Sequence, residues 1–575
     1  MAAGVGRSIA ALLAAWALVA LAAAAVAQPV VPSSVQPGRE QQRFIEPPPA
    51  LSQPRGPTVS LPSTVAPAGA EHILVKVRAV HISGATVYRP EAFAPLYADI
   101  VGREVTLAAI YDLAQRVTTK YGNDGYVISR AIVPPQELDP AGATVEIQVI
   151  EGYVDQVVWP KELSRFRDFF SYYTARITAE RPANIHTIER YLLLAGELPG
   201  LKFKNSLKPS PTHQGAATLI VEGVLFSPVD GNGRIDNRGP RGQGPLELLG
   251  SMTINNLLHM HDAVTVTYAG PFEAEELKYV YGQYSQVLVP EGLVWFVDGS
   301  NGWGRPETPE LEVLNYHTKS TVFETGFTYP ILRTRERNLS LTGLWFMSHN
   351  EGVIFDTPTL PPSTLDRLRG FRLKTNADWA DPLMGIDQVN VTVSQGLQSF
   401  GSTDNRQPLA SRLNGRVDFS KLEATLTRVQ QLPANFSFLG AAYGQLAGTP
   451  LLSPELCGYG GRVFGRAYDP SELVADECVE TLGELRLDLP VASLMPSFLA
   501  KPLTQVQLYG FSDWGSLHNL APDVLTPRNL NAASAGGGLR LGWFDLFTAD
   551  LSADKAVEGP RNDWRFFFVL SAKNR

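Results

Sequence analysis

Residues 503–515 read LTQVQLYGFSDWG, and their alternation decides the fold. Val506, Leu508 and Trp514 fall on one face and Gln505, Gln507, Tyr509, Phe511 and Asp513 on the other, a period of two that marks a β-strand with one oily and one wet side. Just upstream, residues 457–484 read CGYGGRVFGRAYDPSELVADECVETLGE, rich in glycine and charge as a long ordered loop is. The alternation resumes after it, with Leu485, Leu487 and Leu489 set against Glu484, Arg486 and Asp488. In a transmembrane barrel the wet side is the lumen, so Asp513 points into the pore. An acid there needs a cation. Arg466 in GRAYDPSE supplies it, with Tyr468 and Phe511 packed around the pair, and losing either partner would leave a partly dehydrated charge at a cost of about 3–5 kcal/mol. Arg462 with Phe464 offers a second phasing for the same lock.

Phe511, Asp513 and Gly515 complete an FxDxG strand motif, and Arg466-Ala467-Tyr468 is similar to an Arg-Gly-aromatic loop motif. Together they resemble the outer-membrane POTRA-barrel superfamily, whose two-partner secretion branch exports haemolysins and filamentous adhesins. The loop departs from the pattern at Ala467, where glycine is usual, and at Gly465, where valine is usual. A second resemblance lies upstream in KYGNDGYVISRAIVPPQ, residues 120–136, where Tyr121, Gly125, Tyr126, Ser129, Pro134, Pro135 and Gln136 match the first POTRA domain of these transporters. The resemblance implies that Tyr121, Gly125, Tyr126, Ser129 and Gln136 bind an unfolded client by strand addition. The competing account is that they only build the domain, which the glycines and prolines favour because both shape turns.

The chain around these motifs divides readily. Residues 1–27 have the form of a secretory signal, with Arg7, an apolar core over residues 10–25 and an Ala-Val-Ala cleavage box. Residues 28–70 are crowded with proline and read as an exposed linker, within which GREQQRFIE (38–46) is a candidate short plug helix. From 71 to 153, an alternating strand, a helix with Leu107, Ile110, Leu113, Ala114 and Val117 inward and further strands make a small α+β unit. A second such unit spans 154–228, its helix turning Ile188, Leu192 and Leu193 inward. Both resemble POTRA domains. Residues 229–575 then carry about sixteen short alternating runs, an even number as bacterial single-chain barrels require, with a long lumenal loop at 449–479. The expected fold is thus α+β periplasmic POTRA domains followed by a transmembrane antiparallel β-barrel of about 16 strands. A soluble β-sandwich or propeller is the alternative, disfavoured by aromatic residues clustered at strand ends.

Composition agrees. The formal net charge of −8, without a basic run, argues against nucleic-acid binding. Past the amino terminus no run of about 20 apolar residues occurs, which leaves a barrel open because a barrel hides its lipid face by alternation. Cys457 and Cys478 are the only two cysteines, both in the singled-out loop, and in an exported chain they are expected to form a disulfide worth about 3 kcal/mol.

Catalytic spacing is lacking: there is no GxxxxGK[ST] phosphate loop, no HExxH helix and no GxSxG elbow, so no enzyme and no cofactor are expected. His259 and His261 precede Asp262 at the head of a strand and read as hydrated turn residues rather than metal ligands. The loop acids Asp469, Glu472, Asp476 and Glu477 read as solvated or cation-paired rather than as a hydrolytic pair. The last strand ends Ala-Lys-Asn-Arg after the aromatic run Phe566–Phe568, so assembly-signal recognition is expected to use that internal run.

The resemblance implies an outer-membrane transporter, working as a monomer in outer-membrane lipid after insertion by the barrel assembly machinery. Its POTRA domains would capture a secreted partner protein in the periplasm. The rival expectations are an assembly factor of the same superfamily and an outer-membrane enzyme or adhesin.

Overall fold

In the computed structural model, residues 31–44, 49–53, 65–139, 142–213, 215–355, 362–490, 502–522 and 526–574 are described. The secretory signal expected at residues 1–27 lies outside them.

The first small domain is built on a four-stranded sheet. Leu74–Ser83 pairs in parallel with Ala143–Ile150, while Glu104–Thr106 and Arg130–Ile132 flank them antiparallel. Thr106 starts the helix Leu107–Asn123, its side chain accepting the Ala109 N–H as an N-cap. Ile110, Leu113, Ala114 and Val117 bury against Val75, Val77, Val145 and Ile147, the inward side of a strand pair of which Ala143–Ile150 alternates strictly. Leu107, expected inward, is only partly buried at the first turn. The second domain has three strands, in the order Tyr153–Val158, Ala216–Phe226, Leu201–Pro209, covered by helices Arg167–Ala179 and Ile185–Gly196. Its inward residues are Ile188, Leu192 and Leu194, with Leu193 half-buried. Three consecutive leucines made that phase ambiguous.

Sixteen antiparallel strands follow and close on themselves: Trp564–Lys573 pairs with Val229–Asp236, so no edge is left for another chain to join. The alternation read from sequence sets the two faces. Leu485, Leu508 and Trp514 face outward, 48, 45 and 39% exposed, while Glu484 and Asp513 turn into the lumen at 0 and 2%. No helix among the described residues is long and apolar enough to cross a membrane. The outward side chains of the strands make the outer face of the barrel apolar, as a lipid-facing wall is.

The second small domain sits against the turns at one end of the barrel. Arg190 Nη2 donates to the Pro330 carbonyl at 3.2 Å, Arg333 pairs with Glu197, and the His261 ring packs on Phe169 at 4.0 Å between centroids. His259 and His261 lie in one of those turns with left-handed φ of 59° and 60°.

The linker expectation is corrected for residues 31–44. This segment lies inside the barrel, ending in a helix, Glu40–Phe44. Its polar side chains are what admit it to a wet lumen. Arg39 Nη1 and Nη2 donate to the carbonyls of Ser453 and Leu456 at 3.0 and 3.1 Å, Ser320 Oγ donates to Glu40 Oε2 at 3.0 Å, and Arg43 pairs with Glu247. Phe44 is buried against Tyr279 of the wall.

Candidate functional site

The long loop leaves the barrel at the end remote from the small domains and folds back into the lumen. Two short strands within it, Cys457–Tyr459 and Leu473–Ala475, pair antiparallel, and Cys457 is bonded to Cys478, with Cα atoms 6.4 Å apart. Between them the chain curls through Gly460, at φ 121°, where an added Cβ would stand 2.0 Å from the Asp469 carbonyl oxygen. Only glycine fits there. The curl carries Arg466 down to the wall.

The guanidinium does not meet Asp513, and the expected Arg466–Asp513 pair is corrected. Arg466 Nη1 pairs with Glu484 on the neighbouring strand, and its Cζ lies 4.5 Å from the centre of the Phe511 ring. The register explains the reach, since Glu484 stands opposite Phe511 and Leu482 opposite Asp513. The arginine arm extends over the aromatic platform, one inward-facing step beyond the acid that the motif suggested. Asp513 instead holds the loop backbone and a tyrosine: its carboxylate accepts the Arg466 N–H at 3.3 Å, the Ser534 hydroxyl at 2.7 Å and the Tyr459 hydroxyl. Three donors already satisfy it. Glu484, fully buried, receives Arg540 Nη1 at 2.7 Å and Arg486 Nε at 2.6 Å in addition to Arg466. The alternative phasing goes elsewhere, Arg462 to Asp236 and Phe464 against Tyr443.

Gly515 completes the motif by absence. An ideal Cβ there would lie 2.4 Å from Cδ2 of Tyr459, so the ring occupies the space a side chain would need. Gly515→Ala is expected to displace Tyr459 and cost about 1–3 kcal/mol of loop docking. Chymotrypsin nicking of the purified barrel checks this: faster cleavage at Tyr459 in the variant is expected, and an unchanged rate would contradict it. Tyr468 is fixed from the other side by its hydroxyl, which donates to the Glu558 carbonyl.

Of the four loop acids, three are cation-paired, while Glu477 accepts the Ala447 N–H at 3.4 Å. Asp469 meets Arg565 at 2.7 Å, Glu472 pairs with Arg561, and Asp476 accepts Arg412 Nη2 at 3.1 Å. Glu455 bridges Arg372 at 2.7 Å and Lys421 at 2.8 Å. Plug and loop also hold each other, because Ser33 Oγ donates to the carbonyls of Ser471 and Glu472 at 2.9 and 2.7 Å. The alternation had placed Glu484 on the wet face, but nothing local singled it out, and Tyr459, Ser534 and Arg540 were missed because each is meaningful only across strands.

In the first small domain, two residues expected to touch a client are closed off. Tyr121 is fully buried, its hydroxyl donating to Glu151 at 2.8 Å, and Ser129 is 1% exposed, its Oγ accepting the Gly152 N–H at 3.0 Å. Gly125 has φ 94°, a turn requirement. Tyr126, partly buried, packs edge-on against Tyr121, and Gln136 uses its amide as a short strand against both backbone groups of Glu146, at 2.8 and 2.9 Å. Tyr121 and Ser129 shape the domain because burial leaves them no surface to offer.

Comparison with known proteins follows the same division. Residues 75–152 match the family model of the POTRA domain, ShlB-type, and residues 215–541 match that of the haemolysin secretion/activation protein ShlB/FhaC/HecB. Among curated relatives, the chain is 22% identical over 522 residues to the outer membrane transporter CdiB of Dickeya dadantii, covering 84% of this chain and 85% of that one. It is 23% identical over 502 residues to the heme/hemopexin transporter protein HuxB of Haemophilus influenzae, covering 81% of each. Among solved structures, CdiB from Escherichia coli superposes with a TM-score of 0.69 at 18% identity, over 90% of this chain and 94% of that one.

Proposed function

This chain belongs to the haemolysin secretion/activation protein family ShlB/FhaC/HecB, and from that premise we infer how its parts share the work of moving a partner protein across the outer membrane. It is an outer-membrane transporter with its POTRA domains in the periplasm. The partner binds those domains in an unfolded state. The free edge of the second sheet, Leu201–Pro209, offers backbone groups to an extended client, which strand addition would grip with little demand on sequence. Lys202, Lys204 and Lys208 on that strand add a preference for acidic segments.

The observation that carries the reading is the filling of the lumen. Beyond the Cys457–Cys478 bond that ties the root of the loop to a wall strand, plug and loop are held by side-chain ion pairs and hydrogen bonds, outside the barrel's own strand ladder, so the plug and the loop between those cysteines can leave without unzipping the barrel. An extended client advances about 3.3 Å per residue and threads the vacated space. The latch residues are Arg466 with Glu484, with Asp513, Phe511, Tyr468 and Gly515 seating the loop. No chemistry is performed on the client. The drive comes from client folding at the cell surface, which withdraws unfolded chain from the pore.

The test is secretion of a large exported protein encoded beside this one, in host cells with and without the transporter. Partner in the medium only when both are present is the expected result. A partner retained in the periplasm in both cases, together with depleted outer-membrane barrels when the chain is removed, would instead favour an assembly factor.

A further inference from the structure

At the end of the barrel remote from the small domains, three carboxylates from two separate turns converge. Oxygens of Glu273, Glu276 and Glu307 all lie within 4.8 Å of one another. None of the three has an ion pair among the described residues; Arg305, two residues before Glu307, turns its Nη2 to Asn315 Oδ1 at 3.3 Å. Glu273 and Glu307 are exposed, but Glu276 is 9% exposed and its Oε2 is buried without a hydrogen-bond partner. That atom is the independent sign. A buried carboxylate oxygen with no donor is costly, and two further acids beside it raise the cost unless something positive sits among them.

The surroundings are shaped around this oxygen. Gly244, with φ 57°, passes so close that an ideal Cβ would stand 2.4 Å from Glu276 Oε2. Backbone bonds fix the other carriers: Arg305 N–H donates to the Glu276 carbonyl and Glu307 N–H to the Gly242 carbonyl, each at 2.9 Å. Three segments that are remote in sequence, around 244, 276 and 307, are thereby clamped around one acidic point.

We propose that Glu273, Glu276 and Glu307 form a binding site for a hard divalent cation, calcium foremost, in the turns at the end of the barrel remote from the small domains. Oxygen-only donors select calcium or magnesium over softer metals. Oxygens bound to one calcium at about 2.3–2.6 Å stand at most about 5 Å apart, which the observed spread satisfies. The two exposed ligands leave the remaining positions to water, a pattern suited to the weak affinity, about 10⁻⁴ to 10⁻³ M, of extracellular calcium modules. The ion ties the turn at 271–277 to the segment carrying the helix Pro309–Val313, whose Leu311 packs on Val35 of the plug. Occupancy therefore stiffens the wall that receives the plug's first residues.

Isothermal titration of the chelator-treated, full-length protein in detergent, with calcium chloride and magnesium chloride in separate runs, tests the site. One saturable calcium per chain is expected, weakened about tenfold or more in Glu276→Gln, with magnesium weaker than calcium. The double variant Glu273→Gln/Glu307→Gln, altered only at exposed positions, gives the same reading if Glu276→Gln fails to fold. A calcium-dependent rise in the unfolding temperature should appear in the native chain and vanish in both variants. No saturable binding of either ion up to about 10 mM, or binding unchanged by the substitutions, overturns the proposal.

Discussion

Glu484→Ala should undock the loop more than any other single change in the lumen. Its carboxylate gathers Arg466, Arg486 and Arg540 in a fully buried position, so its removal takes the shared counter-charge from all three and leaves Arg540 only its second pair, with Asp550 at 3.0 Å. Breaking a buried pair in this way costs about 3–5 kcal/mol, which shifts the balance between docked and undocked loop by about two to four orders of magnitude. Measured by protease access to the loop, Arg466→Ala and Glu484→Ala should be strongly coupled, the double variant losing little more than either single one. Arg466→Ala and Asp513→Ala should be nearly additive, because Asp513 accepts the Arg466 main-chain N–H, which alanine retains. Strong coupling to Asp513 and none to Glu484 would return the lock to the pair that the motif first suggested.

Deleting residues 31–44 carries the second large effect. The segment fills the lumen beside the loop, anchored by Arg39 on the carbonyls of Ser453 and Leu456 and by Arg43 on Glu247. Without it the wall acids and hydroxyls face water, which solvates them, so the barrel itself should remain folded. A sixteen-strand wall then encloses an open passage. Cells carrying the deletion should become about tenfold more sensitive to large antibiotics normally excluded by the outer membrane, while barrel abundance stays the same. Unchanged sensitivity at equal abundance would mean that the loop alone seals the lumen.

Much of the architecture was legible because period-two alternation is a local signal. Leu508 and Trp514 against Tyr509, Phe511 and Asp513 gave one strand and its two faces, and repetition of that pattern gave the barrel. The helix Arg167–Ala179 escaped because RDFFSYYTARITA spreads aromatics around its circumference and blurs the 3.6-residue period. The plug segment read as linker with only a candidate plug helix at 38–46, because proline crowds it and that short helix is polar, yet polarity is what a wet lumen accepts.

The site was legible only in part. The FxDxG and Arg-aromatic motifs named a loop and a strand that do meet, and the structure gives each motif letter a physical task. Phe511 is a platform under the guanidinium, Asp513 a receptor for the loop backbone and Tyr459, and Gly515 a gap filled by that ring. What sequence could not give was the cross-strand register, one inward-facing step of which moved the ion pair from Asp513 to Glu484. The cluster of Glu273, Glu276 and Glu307 was hidden for a similar reason, since its acids share no spacing and meet only through the turns that carry them.

Single-channel conductance in planar bilayers tests the central claim most directly: that plug and loop are removable fillings of one pore, held by side-chain latches. The native protein, Glu484→Ala and the 31–44 deletion would be compared at equal purity. The expected result is a small, intermittent native conductance, more frequent openings in Glu484→Ala and a large steady one in the deletion. Identical traces from all three, or no channel in the deletion although the barrel is folded, would contradict it.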